Sequence, residues 1–271
     1  MLKICLLFFL FFLSLQIGSE TLNICYDHFP PSTIIPDTFN KRKGYAIDMI
    51  EEIYRNKGFT IKLNTFPYAR GLLMIQKGEC DIYAEAAYSP EEENNFIFGE
   101  EPTFLYQLAF VVRKDSQWRF QGIESLKEIR VATGVGWDYS YVSSDYQKYL
   151  TDPENKGKVE FLSGEDVVER ILKLMISGRI DAYCDSIDVI NYFANKLNIS
   201  EEIREAGGFQ TLLVEKPIFS PRLTSKKRKL LMDIWNSERK RYSKTGRDLE
   251  IKRSYERLIP QMNPKNLSHI H

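Results

Sequence analysis

The sequence has few of the residues that point to metal, redox or nucleic-acid chemistry. Its 271 residues include four cysteines and three histidines, and there is no C-x-x-C pair to suggest a zinc or redox site. Basic and acidic residues number 37 each, so the formal net charge is zero. A neutral chain has no bulk field that attracts a nucleic acid or an anionic membrane. We therefore expect no nucleic-acid partner, no metal and no other cofactor.

Long apolar runs are also scarce, and the one at the N terminus is short. Residues 4–15 are mostly apolar and follow Lys3, and residues 16–20 include the small residues of a cleavage site. The run is shorter than the roughly 18 to 20 residues that span a bilayer. This pattern is typical of a secretory signal peptide over residues 1–19, with a retained anchor as the alternative. We expect a soluble periplasmic protein that does not insert into the membrane after cleavage.

Cysteine is sparse in the mature chain as well. Cys25, Cys80 and Cys184 remain after the predicted cleavage, each in or beside a predicted buried strand. An odd number leaves at least one free thiol, even in an oxidising compartment. We expect three small apolar core residues rather than a disulfide. His28 is the one histidine far from the C terminus, so Cys–His catalysis is not expected.

Strand-like and helix-like segments alternate along the mature chain. The predicted strands are residues 22–26, 59–66, 81–84, 129–133, 159–162, 180–184 and 209–214. The predicted helices are residues 45–54, 70–76, 138–150 and 165–176, and residues 224–259 form a strongly helical, basic stretch. Such alternation predicts an α/β protein with parallel sheets and helices on their faces.

Several short motifs follow one another in a recognisable order. They are residues 44–49 before a helix, 78–81 at the start of a strand, 89–91, 110–116, 123–127 and 178–182. Each motif is weak on its own, but their common order and spacing cover nearly the whole mature chain. Together they resemble the bacterial extracellular solute-binding proteins, family 3.

The resemblance implies a type 2 periplasmic-binding fold. Each of its two lobes has a central, mostly parallel sheet flanked by helices, and two crossing strands join them. Lobe 1 would comprise residues 20–109 and 212–271, and lobe 2 residues 110–211. A monomer would hold a small-molecule ligand between the lobes and pass it to an ABC-transporter permease, without acting as an enzyme. The alternatives are an exported, dehydratase-like enzyme and a stand-alone sensory binding protein.

The expected ligand site lies where the parallel strands end, because ligands of such folds bind at these edges. There Arg70 would bind an anionic group, and Glu85 would neutralise a ligand amine or pair with Arg70. Aromatic faces would stack on apolar or cationic ligand surface, and the glycines before Trp137 would let the backbone approach the ligand. The predicted ligand-binding residues are Asp27, Phe29, Tyr68, Arg70, Glu85, Tyr88, Thr133, Trp137, Tyr139 and Asp185.

Two positions depart from the amino-acid-binding members of the family. The resemblance implies an arginine after Pro90 and Glu91 that grips the ligand carboxylate, but this chain has Glu92, which cannot do so. It also implies an aspartate for the ligand ammonium at the place of Ser186, with Asp185 one residue earlier. Both changes argue against a standard α-amino acid as the ligand.

Overall fold

The structure of the protein is a computed structural model that describes residues 20–38, 40–164 and 166–256. The predicted signal peptide over residues 1–19 lies outside the described residues, as do His269 and His271.

The described residues alternate between strands and helices as predicted. In chain order the strands are β1 (Thr21–Tyr26), β2 (Thr60–Thr65), β3 (Ile82–Ala87), β4 (Ile97–Phe98), β5 (Phe104–Tyr106), β6 (Leu108–Arg113), β7 (Val131–Gly134), β8 (Val159–Leu162), β9 (Ala182–Ser186), β10 (Ile203–Gly208) and β11 (Leu213–Phe219). The α-helices are α1 (Tyr45–Arg55), α2 (Tyr68–Lys77), α3 (Ser144–Thr151), α4 (Val167–Ile176), α5 (Ile187–Lys196), α6 (Ser225–Thr245) and α7 (Arg247–Glu256). A short 3₁₀ helix covers Pro90–Asn94.

The strands form two sheets. The first has the order β2-β1-β3-β11-β4, with β5 beside β11, and the second has the order β10-β6-β9-β7-β8. In the first sheet β1 runs parallel to β2 and β3, and in the second β7 runs parallel to β8 and β9. β11 and β6 are antiparallel to their neighbours. Each sheet therefore joins the predicted parallel strands to antiparallel ones.

Apolar spacing explains why the helices cover the first sheet. In α1, Ile47, Ile50 and Ile53 recur at helical spacing and are buried, and Tyr54 beside them is fully buried. α2 ends at Gly78, which adopts the left-handed conformation with a φ of 83° that glycine tolerates best.

The basic C-terminal stretch forms α6 and α7, which pack against α1. The Tyr54 hydroxyl donates a hydrogen bond of 2.9 Å to the carbonyl oxygen of Leu231 in α6. Arg247 of α7 forms an ion pair with Glu52 of α1 at 2.6 Å. Across residues 20–38, 40–164 and 166–256, no helix has both the length and the apolar character needed to cross a membrane.

The chain passes between the two sheets at two places. It leaves the first sheet after β5 and enters the second at β6, with Gln107 between them, and it returns through residues 209–212. The side-chain amide of Gln107 donates a hydrogen bond to the carbonyl oxygen of Phe209, so the two crossing segments are tied together. The lobe boundaries at residues 109/110 and 211/212 stay a prediction.

Two predicted elements differ from the structure by more than three residues at one end or both. The helix predicted over residues 138–150 begins only at Ser144, because Ser143 caps it by accepting a hydrogen bond of 3.2 Å from the Tyr146 backbone N–H. The strand predicted over residues 209–214 lies further along the chain in the structure, as β11 over Leu213–Phe219. There Pro217, which has no N–H to donate, lies where the pairing of β11 with β3 shifts register.

The prediction that all three cysteines are free core residues is wrong for two of them. Cys25 and Cys80 form a disulfide with their Cα atoms 5.9 Å apart, whereas Cys184 is free and buried as expected. β1 and β3 are neighbours in the sheet, so a residue near the end of β1 comes close to one just before β3. The bond joins residues 55 positions apart, and closing such a loop stabilises a fold by about 4 kcal/mol.

Candidate functional site

Two buried carboxylates and one half-buried carboxylate collect where the parallel strands of the first sheet end. Asp27 follows β1, Glu85 lies near the end of β3, and Glu215 lies opposite on β11, where it pairs with Ala87. We call Asp27, Glu85 and Glu215 the strand-end carboxylates. Ionised groups in such surroundings lose hydration, so they need a partner or take up a proton.

Glu85 is buried and held by two hydroxyl groups. The Ser32 hydroxyl donates a hydrogen bond of 2.5 Å to one carboxylate oxygen, and the Tyr106 hydroxyl donates one of 2.8 Å to the other. Burial raises the pKa of Glu85 to about 7. Gly44 allows the backbone to pass close to Ser32, since a Cβ there would lie 2.1 Å from the Ser32 carbonyl oxygen.

Arg70 takes no part in this arrangement. It is exposed in the first turn of α2, which begins at Tyr68, and its guanidinium group lies 5.6 Å from the ring centre of Phe66. Within the part of the chain that the structure describes, no ion pair involves Arg70. The expected alternative, an ion pair between Glu85 and Arg70, is therefore wrong, because Ser32 and Tyr106 hold the carboxylate instead.

Asp27 has a partner on the neighbouring strand. The Tyr83 hydroxyl donates a hydrogen bond of 2.9 Å to Asp27 Oδ1. Burial is the main reason that the pKa of Asp27 rises to about 6. The Tyr83 ring lies against Gly71 of α2, where a Cβ would come within 2.3 Å of it. The glycine therefore leaves the space that the tyrosine needs to reach Asp27.

Glu215 is the strand-end carboxylate that sequence reasoning missed. Its residue is 8% exposed, and its side chain has no hydrogen bond or ion pair to any other described residue. Burial and repulsion by Glu85 and Asp27 raise its pKa well above the usual value. The sequence signal that could have identified Glu215 was the strand predicted over residues 209–214. That prediction ended at Val214, one residue too early to include it.

The second sheet adds a further carboxylate at the end of β9. Asp185 Oδ1 accepts a hydrogen bond of 2.6 Å from the Ser186 backbone N–H, and Oδ2 accepts one from the Tyr183 hydroxyl. Burial raises the pKa of Asp185 to about 6. The hydroxyl oxygen of Ser186 is buried and has no hydrogen-bond partner among the described residues.

Three of the predicted ligand-binding residues lie in or just after β7 and pack within the second sheet region. Tyr139 is buried, and its hydroxyl donates a hydrogen bond of 3.1 Å to the Cys184 carbonyl oxygen. Thr133 is buried beside it, with its hydroxyl 3.4 Å from that of Tyr139. The Trp137 ring covers Gly134, where a Cβ would come within 2.3 Å. The space left by the missing Cβ is therefore occupied by the Trp137 ring and not by a ligand.

The remaining predicted aromatic residues lie on the side of the first sheet. The Phe29 ring is 5.3 Å from that of Tyr106, close to Glu85, and the Tyr68 ring is 6.2 Å from that of Tyr83. The Tyr88 hydroxyl donates a hydrogen bond of 2.8 Å to the exposed Glu93, and its backbone N–H donates one of 2.9 Å to the carbonyl oxygen of Val214.

Side chains from the two sheet regions meet at several places. Tyr141, which follows β7, has Glu92 and Glu215 as charged neighbours, and burial with these charges raises its pKa to about 12. On another side, Asp188 of α5 accepts a hydrogen bond of 3.3 Å from the Tyr45 hydroxyl and forms an ion pair of 2.8 Å with Lys252. Side chains of the two sheet regions therefore contact one another at these two places.

The carboxylates come from separate strands of the two sheets. No group of three or more His, Cys, Asp or Glu side chains within residues 20–38, 40–164 and 166–256 is placed to hold a metal ion. The arrangement is suited to organic cations, which separate carboxylates can contact at different points.

Comparison with known proteins identifies the fold and the family. The model of the bacterial extracellular solute-binding proteins, family 3, matches residues 22–257. No curated protein matches the sequence.

Three solved structures have a similar fold. An ancestral arginine-binding protein bound to arginine has a TM-score of 0.67 at 20% identity, over 87% of this chain and 98% of that one. A histidine kinase sensor domain similar to periplasmic binding proteins has a TM-score of 0.66 at 15% identity, over 88% and 96%. An ancestral amino acid-binding protein, a precursor of cyclohexadienyl dehydratase, has a TM-score of 0.65 at 18% identity, over 87% and 95%.

At these identities the structures show the fold, the two-lobed type 2 periplasmic-binding fold that the motifs predicted. The family match spans most of the chain, including both sheets. This chain belongs to the bacterial extracellular solute-binding proteins, family 3.

Proposed function

We propose that this protein is an exported, periplasmic binding protein that captures a small polar solute carrying a positively charged amine between its two lobes. One observation carries the proposal: Glu215 is buried next to Asp27 and Glu85 without a partner among the described residues. A buried carboxylate without a cation is costly. A bound amine would supply the missing positive charge.

The mechanism is capture by closure of the lobes. The solute binds the strand-end carboxylates of one lobe, and the other lobe then brings Asp185 and Tyr141 against it. Closure excludes water, which strengthens the charge contacts. The crossing segments at Gln107 and residues 209–212 are the hinge in this proposal, with lobes of residues 20–109 plus 212–271 and of residues 110–211. The protein acts as a monomer and passes its solute to an ABC-transporter permease.

A screen of solutes combined with X-ray scattering tests this function. Amino acids, amines, small organic acids and short peptides are added to the protein, and the melting temperature and radius of gyration are recorded. At a hundredfold excess over Kd, binding adds about 2.7 kcal/mol, which raises the melting temperature of a chain of this size by roughly 5 to 10 °C. Amines should bind and reduce the radius of gyration. Binding by anionic solutes alone, or without any contraction, would contradict the proposal.

Glu85 also favours a second candidate function, that of an exported enzyme. A buried carboxyl group in a cleft with a pKa of about 7 is suited to proton transfer near neutral pH. One relative in fold is a precursor of a dehydratase. Incubation of each bound solute with the protein, followed by mass spectrometry, distinguishes the two functions. Conversion of the solute that is lost in Glu85→Gln would establish the enzyme, and an unchanged solute supports binding alone.

A further inference from the structure

A small pocket lies between residues of the two sheet regions. Its volume is about 90 Å³, and its lining includes four aromatic rings and a single charged group, Glu92. Tyr68, Phe96 and Phe98 come from the side of the first sheet, and Tyr141 follows β7 of the second. No lysine or arginine is among the lining residues. The pocket has room for one terminal charged group of a solute.

Aromatic rings around a carboxylate attract cations and repel anions. The faces of tyrosine and phenylalanine rings carry negative electrostatic potential, which favours ammonium and guanidinium groups. A carboxylate adds a full negative charge and hydrogen-bond acceptors. A ligand carboxylate in this pocket would face Glu92 and the ring faces without any positive charge to pair with.

Glu92 has no cation as a partner among the described residues. Its Oε2 accepts a hydrogen bond of 3.3 Å from the Asn95 side-chain amide, and no ion pair involves it. Lys216 lies outside the pocket lining, with its Nζ 3.5 Å from the ring centre of Tyr88. The charged neighbours of Lys216 are Glu93, Glu100 and Glu101. Glu92 also interacts with the Tyr141 hydroxyl group, so its partners are neutral groups and none of them neutralises its charge.

Two tyrosines of the pocket lining, Tyr68 and Tyr141, also interact with strand-end carboxylates. Tyr68 has Glu215, Asp27 and Tyr141 as neighbours, and Tyr141 has both Glu92 and Glu215. Glu215 and Glu92 thus flank the same two tyrosines. Glu215, buried and without a partner in the described structure, independently indicates a ligand beside these two tyrosines.

We infer that Glu92 and the rings around it form a second cation subsite, so that the solute is positively charged at both ends and carries no carboxylate. This inference rests on the proposed function. One cationic end contacts the strand-end carboxylates, and the chain of the solute passes between Tyr68 and Tyr141. The other end enters the pocket at Glu92. Diamines and guanidino-amines have this chemistry, whereas α-amino acids do not.

Agmatine and arginine are the matched probes, because agmatine is arginine without its carboxylate. Isothermal titration calorimetry of the protein at pH 8 should show agmatine binding at least about tenfold more tightly than arginine. Glu92→Gln should weaken agmatine binding by about tenfold, and Glu92→Arg should reverse the preference. Glu91→Arg is the control, since it makes the same charge change one residue away at an exposed position. It should keep the preference for agmatine.

The outcomes separate this inference from the proposed function. If arginine binds the unaltered protein as tightly as agmatine does, the second subsite is refuted, but capture of an amine stands. If agmatine, arginine and 1,4-diaminobutane all fail to bind, the second subsite is also refuted. The proposed function is then tested with other amines, one of which must bind and reduce the radius of gyration measured by X-ray scattering. Circular dichroism verifies that Glu92→Arg is folded, and Glu92→Gln gives the answer if it is not.

Discussion

The hydroxyl group of Tyr106 donates a hydrogen bond of 2.8 Å to the buried carboxylate of Glu85. The two residues lie on different strands of the first sheet, β5 and β3, with β11 between them. Tyr106 and Ser32 are the two groups whose hydroxyls hydrogen-bond the Glu85 carboxylate.

Tyr106→Phe should therefore destabilise the protein in a pH-dependent way. Loss of a hydrogen bond to a charged group costs about 1.5 to 3 kcal/mol, and loss of one to a neutral group costs less. Because the pKa of Glu85 is about 7, the loss should be larger at pH 8 than at pH 5. Urea denaturation at the two pH values measures it. Tyr54→Phe is the control, since its hydroxyl donates to a backbone carbonyl, and its cost should be the same at both pH values.

The free protein should lose stability between pH 5 and pH 8. The pKa of Glu85 is raised from 4.5 to about 7, and that of Asp27 from 3.8 to about 6. The unfolded state therefore ionises first, so the stabilising effect is complete below the unfolded pKa values and is lost as the pH rises through the folded ones. One pKa unit corresponds to about 1.4 kcal/mol, so the loss from Glu85 is about 3 kcal/mol. Urea denaturation of Glu85→Gln should give a flatter profile, and an equally steep profile would refute this origin.

Glu215→Gln should stabilise the free protein and weaken its binding of amines. At pH values above its raised pKa, where Glu215 is ionised, the substitution removes a buried charge that Glu85 and Asp27 repel, so the free energy of unfolding there should rise by about 1 to 3 kcal/mol. The same change removes a contact for the ligand cation, and Kd should rise by about tenfold or more. Glu205→Gln, at a partly buried carboxyl group on β10 of the other sheet, should leave Kd unchanged. A Glu215→Gln protein that binds amines normally would remove Glu215 from the site.

Gly71→Ala should disturb the pair formed by Tyr83 and Asp27. The added Cβ would lie 2.3 Å from the Tyr83 ring, and such overpacking typically costs about 1 to 3 kcal/mol. The ring must move, so its hydrogen bond to Asp27 should weaken, and amine affinity should fall with stability. Thermal denaturation and calorimetry measure the two effects. Gly157→Ala is the control, because its Cβ would meet nothing within 4 Å.

Thiol titration tests the disulfide. The denatured chain from residue 20 onward should have one reactive thiol before reduction, that of Cys184, and three after it. Three thiols before reduction would show that Cys25 and Cys80 are not joined. Cys25→Ser together with Cys80→Ser should lower the free energy of unfolding by about 2 to 5 kcal/mol.

The sequence predicted the fold because its signals are local. Apolar spacing and glycine stops located most strands and helices, and their alternation predicted parallel strands. Asp27 and Glu85 were placed at strand ends because each follows an apolar run directly. Those carboxylates lie beside each other in the structure, since β1 and β3 pair.

The groups that complete the site depend on contacts between distant parts of the chain. Ser32 and Glu85 are separated by 53 residues, and Glu215 reaches the site on a strand that returns from the second sheet. The disulfide between Cys25 and Cys80 depends on the pairing of β1 with β3, which the sequence spacing does not reveal. Tyr139 illustrates a different difficulty for prediction from sequence. An aromatic residue near a strand end is consistent both with a ligand contact and with a place in the core.

The most direct test of the account is a crystal structure of the protein with an amine that binds it. We expect the two lobes to be closed, with a positively charged nitrogen within about 3.2 Å of a carboxylate oxygen of Glu215 or Glu85. Asp185 or Tyr141 of the other lobe should contact the same solute. An amine bound away from these carboxylates, or held by one lobe alone in the closed state, would contradict it.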